Sequence, residues 1–250
     1  MSQWGFYFNQ SRCVGCKACT LACKNWNDLR RGDAGIYQMV LASYTTAEGG
    51  MEKKSTYRNP ETNDTNYKEY SKYYMKENWR QVTAYERGAV NYGQGNTLVS
   101  NFDRRYLSIS CNHCDEPVCV KICPMGIITK NAETGAVLTS TEYCISCGRC
   151  KEACPWSCPQ YYDEGFASYP LEDPRRPKMT KCTMCYDRIT TEPQLKPACV
   201  AACWNRALDA GPMDELIERY GANKKLEDFA DDYVSSMDIH TKPNILFKSK

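Results

Sequence analysis

Histidine is almost absent from this chain of 250 residues, which contains His113 and His240 and no others. Haem groups and histidine-rich metal sites therefore have few ligands available. Long apolar runs are also missing, since no stretch approaches the roughly eighteen residues that a membrane-spanning helix needs. The segment Met1 to Asn9 has the features of neither a signal peptide nor a twin-arginine leader. We expect that the chain does not cross a membrane by itself.

Hydrophobic residues are only moderately frequent, at 42% of the chain. A chain of this length could form one or two ordinary domains, but such an apolar content is modest for that purpose. Bound metal groups are therefore expected to hold together segments that apolar burial alone would leave loose.

Cysteine is abundant, and sixteen of the 17 cysteines fall into four groups of four. The third group has the C-x2-C-x2-C-x3-C-P spacing of bacterial ferredoxins and consists of Cys144, Cys147, Cys150 and Cys154, followed by Pro155. The first group, with the same intervals, is Cys13, Cys16, Cys19 and Cys23. The second, with a wider middle gap, is Cys111, Cys114, Cys119 and Cys123. The fourth, with its two pairs far apart, is Cys182, Cys185, Cys199 and Cys203. The repetition predicts four [4Fe-4S] clusters.

Two other uses of cysteine fit this pattern less well. A four-cysteine zinc site usually joins two separated pairs, whereas the first and third groups place three cysteines within seven residues. A disulfide framework is typical of short secreted domains, and this chain is long, has an odd number of cysteines and shows no signal peptide.

The spacing between the groups predicts which cysteines share a cluster. Residues 124–140, between the second and third groups, read as two β-rich runs around a glycine-containing turn, which indicates a hairpin. This is the layout of a compact two-cluster ferredoxin, where the fourth cysteine of each group ligates the other cluster. One cluster is then expected on Cys111, Cys114, Cys119 and Cys154, and the next on Cys144, Cys147, Cys150 and Cys123. By elimination, the outer groups pair crosswise, with one cluster on Cys13, Cys16, Cys19 and Cys203 and another on Cys182, Cys185, Cys199 and Cys23.

The expected fold class is α+β, with two interleaved bacterial ferredoxin-like modules, each holding two [4Fe-4S] clusters. Residues 1–43 and 175–221 would form one module and residues 101–174 the other. Residues 44–100 lack cysteine and are rich in tyrosine, which favours a partner-facing insertion over an autonomous surface excursion. Residues 222–250 are interpreted as an extended C-terminal arm that lies on a partner rather than packing against the rest of this chain. Helix signals precede it at 212–221, and a strand is expected at 107–110.

Two further features concern the charge and the last cysteine. The formal net charge is +2, but each cluster with four thiolates adds roughly two negative charges, so that four clusters bring the protein to about −6. This charge argues against nucleic acid as a partner. Basic residues near the cysteines either tune cluster potentials or form a solvated surface. They are Arg12, Lys17, Lys24, Lys121, Arg149, Lys151, Lys181 and Arg188. Cys158 is left over, as a buried free thiol or a replacement ligand for Cys154.

Several segments together carry a resemblance to a known family: 5–8, 11–24, 108–114, 158–161, 179–182, 185–188, 207–216 and 241–245. They resemble the four-cluster ferredoxin-type beta subunits of the molybdopterin oxidoreductase superfamily, in particular the iron-sulfur subunit of anaerobic dimethyl sulfoxide reductase. The resemblance extends to nearly everything except residues 44 to about 100.

The resemblance implies a subunit of an anaerobic respiratory complex that transfers electrons and has no catalytic residue of its own. Its partners would be a catalytic subunit with a molybdenum or tungsten molybdopterin cofactor and a membrane subunit that oxidises quinol. The subunit would lie peripheral to the cytoplasmic membrane, with the first and last cysteine groups facing the catalytic subunit. Cys147 argues against the three-iron cluster of some relatives. The alternatives are the beta subunit of a soluble, cytoplasmic molybdopterin oxidoreductase or transhydroxylase, and a free polyferredoxin shuttle.

Overall fold

A computed structural model describes residues 3–27, 29, 68–70, 78–87, 90–92, 98–100, 103–156, 158–161, 178–191, 194–221 and 241–248. Most of the predicted insertion and residues 222–240 of the predicted arm lie outside these ranges. The described strands are β1 (Trp4–Asn9), β2 (Lys68–Tyr70), β3 (Gln81–Arg87), β4 (Val90–Tyr92), β5 (Leu98–Ser100), β6 (Asp103–Ile109), β7 (Ile128–Lys130), β8 (Val137–Thr139), β9 (Gln160–Tyr161), β10 (Met179–Thr180), β11 (Leu208–Pro212) and β12 (Ile245–Lys248). The described α-helices are α1 (Ala18–Trp26), α2 (Val118–Ile122), α3 (Arg149–Ala153), α4 (Tyr186–Ile189), α5 (Ala198–Ala201) and α6 (Met213–Tyr220).

The first strand is the centre of a three-stranded sheet with the order β11-β1-β12. All six residues of β1 are buried, because both of its faces are covered. Phe6 and Phe8 belong to the main core on one face. Tyr7 points to the opposite face, as expected for alternate residues of a strand, and its ring stacks on Tyr220 of α6 at 3.7 Å.

The end of the chain belongs to this sheet, which corrects the prediction that the tail is laid on a partner. Strand β12 pairs with β1 in parallel, with Phe8 opposite Phe247, and Ile245 to Phe247 are buried. The parallel partner of β12 lies at the other end of the chain, so no local pattern revealed the pairing. The correction applies to residues 241–248.

A similar correction applies to the end of the predicted insertion. Strand β3 pairs with β6 along its whole length, from Gln81 opposite Ile109 to Arg87 opposite Asp103. Arg80, Gln81 and Val82 are buried in the protein. Residues 78–82 therefore form part of the core rather than a surface facing a partner. The tyrosine-rich composition of the surrounding segment concealed this short buried stretch.

Three local predictions are confirmed. Strands β7 and β8 form the antiparallel hairpin expected between the second and third cysteine groups. The strand expected at 107–110 is the end of β6, which is longer than predicted. Helix α6 begins after Pro212 and ends at Gly221, whose φ of 76° suits glycine.

Short helices carry the third cysteine of each group, namely Cys19, Cys119, Cys150 and Cys199, and α1 also carries the fourth cysteine of its group, Cys23. Helix α1 packs on α5, and α2 packs on α3. Within α1, Cys19 and Cys23 lie one turn apart along the same face. No described helix is long and apolar enough to span a bilayer, and α1, the longest of them, has 9 residues.

Candidate metal centres

The loops that carry the four cysteine groups share one backbone feature. Two residues after the first cysteine of each group, φ is positive, at Gly15 (71°), His113 (45°), Ser146 (59°) and Met184 (62°). The N–H of Ser146 then donates to Cys144 Sγ at 3.3 Å, and that of Met184 donates to Cys182 Sγ at 3.3 Å. Gly15 and His113 offer the same backbone bond to Cys13 and Cys111. The stretched fourth group therefore begins with the same sulfur-binding turn as the ferredoxin-like groups.

Site A is a cavity of about 340 Å³ whose wall includes Cys13, Cys16, Cys19 and Cys203. The indole N–H of Trp204 donates to Cys16 Sγ at 3.3 Å, and the N–H of Ala207 donates to Cys203 Sγ at 3.2 Å. Ser108 Oγ lies 3.4 Å from Cys19 Sγ. Cys16 is exposed, and beside the cavity Val14 and Trp204 are 53% and 69% exposed. Site A therefore lies at the surface of the protein.

Site B brings together four buried cysteines, namely Cys23, Cys182, Cys185 and Cys199. Burial, and after it the thiolates of Cys199 and Cys182, raise the pKa of Cys23 well above its ordinary value. Asn27 Nδ2 lies 3.7 Å from Cys23 Sγ. These cysteines come from α1, from α5 and from the loop before α4, so the site joins the first and fourth groups.

Site C is a cavity of about 350 Å³ lined by Cys111, Cys114, Cys119 and Cys154. Cys158 lines the same cavity and is buried beside Cys111 and Cys154. Cys158 therefore lies where it could replace Cys154 as a ligand, which was one of the two interpretations of this cysteine. Thr241, shortly before the last strand, lines the cavity and accepts a hydrogen bond from Trp156 Nε1 at 3.2 Å.

Site D is a cavity of about 300 Å³ lined by Cys123, Cys144, Cys147 and Cys150. Ile127, Ile128 and Met179 make its wall apolar. The hydroxyl of Tyr161 accepts the N–H of Gly148 at 3.3 Å and lies 3.7 Å from Cys150 Sγ. Nearby, Met125 and Tyr143 are 50% and 64% exposed, so site D also lies at the surface.

The structure brings together the cysteines of each expected crosswise set, with Cys203 beside the first group and Cys23 beside the fourth. The sites also follow one another in space. Cys19 of site A and Cys23 of site B are neighbours on α1. Cys182 of site B packs with Cys111 of site C in one buried cluster. Cys119 of site C packs with Cys150 of site D in another.

The cysteine sites suit a polynuclear metal group with its own positive charge. Burial, with neighbouring thiolates adding to it, raises the pKa of Cys13 and Cys199 to about 11 and that of Cys114 to about 12. Such thiols stay protonated at neutral pH unless a metal replaces the proton. In the described parts of the chain, no three histidine, cysteine, aspartate or glutamate side chains converge closely enough to hold a single metal ion. The cysteines surround cavities instead, and backbone N–H groups point to their sulfurs.

Two buried cations lie between the sites and were missed or misjudged from the sequence. Arg80, at 1% exposure, lies in the predicted insertion, where no cysteine pattern draws attention to it. Lys181 is also 1% exposed, so it does not belong to a solvated surface, which was one of the two interpretations of the basic residues near the cysteines. Its ammonium group donates to the carbonyl oxygens of Val137 and Cys182, at the border of sites B and C. The position of Lys181 directly before Cys182 was the one available signal.

Comparison with known families defines the class of the protein. A family model described as a 4Fe-4S dicluster domain matches residues 102–213, and one described as a 4Fe-4S binding domain matches residues 4–25. The fold and its cysteine sites are therefore those of a ferredoxin-type protein that binds [4Fe-4S] clusters.

Curated relatives identify the family more narrowly. The B subunit of anaerobic dimethyl sulfoxide reductase from Haemophilus influenzae is 34% identical, and the alignment covers 98% of this chain and 91% of the relative. The corresponding subunit of Escherichia coli is also 34% identical, with 99% and 89% covered. Formate dehydrogenase 2 subunit beta (cytochrome c-553) of Nitratidesulfovibrio vulgaris is 30% identical, with 89% and 82% covered. The protein belongs to this family of iron-sulfur electron-transfer subunits, which confirms the resemblance to the iron-sulfur subunit of dimethyl sulfoxide reductase.

Proposed function

We propose that this chain transfers electrons one at a time through four [4Fe-4S] clusters held at sites A, B, C and D. When bound, such a cluster takes up and releases one electron at a potential set by burial, by hydrogen bonds to sulfur and by nearby charge. The protein supplies these three influences. The sixteen cysteines of the four sites are the proposed ligands, and the chain contributes no catalytic residue.

The succession of the sites from surface to surface supports this proposal most strongly. Site A has an exposed cysteine, whereas all four cysteines of site B are buried. At site C, three cysteines are buried and Cys154 is partly exposed, and at site D both Cys123 and Cys147 are partly exposed. Adjacent sites share a helix or a buried cluster. An electron that enters at one end can therefore cross the interior and leave at the other.

The same geometry supports two interleaved modules, one formed by sites A and B and the other by sites C and D. The first module would use residues 1–43 and 175–221, and the second would use residues 101–174. The sheet β11-β1-β12 lies against the first module and receives its third strand from the end of the chain.

The proposed partners are a molybdopterin catalytic subunit with molybdenum or tungsten at the site A end and a membrane subunit that oxidises quinol at the site D end. Relatives named as a subunit of dimethyl sulfoxide reductase and as the beta subunit of a formate dehydrogenase support a catalytic partner. The subunit would then lie peripheral to the cytoplasmic membrane.

Metal analysis and purification of the native complex test this function. Four clusters predict roughly sixteen iron and sixteen acid-labile sulfide per chain in anaerobically purified protein. A value near twelve would mean that one site holds no cubane cluster. Co-elution of a molybdopterin protein and a membrane subunit is the expected result. A molybdopterin protein alone would favour the soluble form of the complex, and the absence of both would contradict the proposed partners.

A further inference from the structure

Arg80 is a fully buried cation directly before β3. Its Nη2 donates to Ser110 Oγ at 2.7 Å, and its Nη1 lies 3.4 Å from both the carbonyl oxygen and Oγ of Ser108. The guanidinium also lies over the ring of Phe6, 4.5 Å from the ring centre. These contacts join β1, β3 and β6 and fix the orientation of the charge.

Within the described part of the chain, none of the polar groups that contact this guanidinium is a carboxylate. They are hydroxyls, a carbonyl oxygen and the sulfur of Cys199. Among the described residues, the Nε of Arg80 has no hydrogen-bond partner. A buried cation without a compensating negative charge is strongly destabilising. Its counter-charge must therefore come from another group.

The candidate counter-charges belong to two different sites. Cys19 of site A lies near Arg80, and Ser108 Oγ lies within hydrogen-bond distance of both. Cys23, Cys182 and Cys199 of site B also lie near it. The cation thus sits at the junction of two proposed clusters, where each thiolate set would bring negative charge.

We propose that Arg80 is a fixed positive charge that raises the reduction potentials of the clusters at sites A and B together. This inference rests on the proposed function. An added electron makes a cluster more negative, and a buried cation stabilises that reduced state because little water screens the interaction. The guanidinium remains charged at any physiological pH, so the effect does not depend on pH.

A purely structural role is the main alternative, since Arg80 also ties three strands together. The two roles differ in their response to charge. Arg80→Met and Arg80→Gln remove the charge but fill much of the space, whereas Arg80→Lys keeps the charge and loses the planar fork. Arg12→Gln is the matched control, because Arg12 is exposed and directly precedes Cys13.

The experiment is a redox titration of the cluster-loaded protein in its complex, followed by paramagnetic resonance, with iron measured for every variant. In Arg80→Met, two of the four potentials should fall, each by at least a tenfold change in the one-electron equilibrium constant, which is about 59 mV. In Arg80→Lys, the potentials of these two clusters should stay close to those of the unsubstituted protein. Arg12→Gln should leave all four potentials unchanged. The unsubstituted protein tests the cluster count separately.

The outcomes separate the alternatives. Unchanged potentials in a fully iron-loaded Arg80→Met protein would overturn the proposal, as would an equal change at all four clusters. If the methionine variant loses iron, Arg80→Gln is titrated in its place, because its amide can still bind Ser110. Iron retained by the lysine variant and lost from both neutral variants would support charge compensation. Loss of iron from all three would indicate a packing role and overturn the proposal.

Discussion

At the scale of single residues, the chain repeats one device at four places. A residue with positive φ, two positions after the first cysteine of each group, turns its N–H toward that cysteine's sulfur. Glycine occupies this position only at Gly15, while His113, Ser146 and Met184 adopt the strained conformation in the other loops. The spacing of the cysteines predicted the loops, but the identity of these residues gave no sign of their conformation.

Cys158 leads to a prediction about ligand exchange at site C. Because it lines the cavity beside Cys154, its thiolate can replace that ligand after Cys154→Ser. We expect the single variant to keep about as much iron as the native protein with an altered site C resonance signal. The double variant, Cys154→Ser with Cys158→Ser, should lose about one iron from that cluster.

Cys158→Ser alone is the control and should leave the iron content unchanged. If Cys154→Ser changes the signal of site D and not of site C, the crosswise assignment of Cys154 is wrong. Equal iron in the single and double variants would show that Cys158 does not act as a replacement.

A matched pair of glycines tests the turn at site A. At Gly15 φ is 71°, and a Cβ would clash with the ring of Tyr106, whereas at Gly126 φ is 61° and nothing lies within 4 Å of the added atom. Both alanine variants incur the strain of the left-handed region, roughly 1 to 2 kcal/mol. Gly15→Ala also displaces the cysteine loop, so it should lower iron loading at site A. Similar iron content and thermal stability in both variants would contradict this account.

At the scale of elements, local patterns predicted the parts whose partners are near in sequence. The β7–β8 hairpin and helix α6 follow from turn residues and end signals within about ten residues of each other. Strand β3 was missed because it lies within the tyrosine-rich segment that was interpreted as a partner-facing insertion, and strand β12 was missed because it pairs with β1 across almost the whole chain. Pairing at long range leaves no periodic signal in either strand alone.

The last strand carries a prediction about the stability of the protein's own fold. Phe247 is 1% exposed, and its ring centre lies 5.7 Å from that of Phe8. Phe247→Ala should destabilise the protein by about 3 to 5 kcal/mol, because it opens a cavity beside the central strand. Lys248→Ala, at the exposed end of the same strand, should change the stability by less than about 0.5 kcal/mol.

The stability of both variants is compared, under anaerobic conditions, by the temperature at which the cluster absorbance disappears. Deletion of residues 241–250 should lower iron content as well, since Thr241 lines site C. A deletion variant with full iron and native thermal stability would show that the strand contributes little to this fold.

At the scale of the whole molecule, cysteine spacing predicted which residues meet but not what lies between them. The cysteines of each expected crosswise set lie around one site, and their ligation of a shared cluster stays a prediction from the ferredoxin rule. Nothing in the sequence pointed to the buried Arg80, and for Lys181 both a tuning role and a solvated surface stayed open, since burial depends on the packing of groups that are far apart in sequence. The two surface ends of the succession likewise emerge only from the packed chain.

The two ends of the molecule lead to the last prediction. Val14 adjoins Cys13 at site A and Tyr143 adjoins Cys144 at site D, and both are exposed apolar side chains. A glutamate at either position places a charge in a surface that a partner would cover, and burying an unpaired charge is unfavourable. Val14→Glu should weaken binding of the catalytic subunit at least tenfold, or about 1.4 kcal/mol, while the connection to the membrane subunit is kept. Tyr143→Glu should do the reverse and slow quinol-driven reduction of the clusters.

Subunit retention in size-exclusion chromatography and the rate of cluster reduction by quinol distinguish the two variants, and the iron content confirms that both are loaded. The opposite pattern would mean that the succession of sites runs in the reverse orientation between its partners, and no effect from either variant would place the docking surfaces elsewhere on the protein.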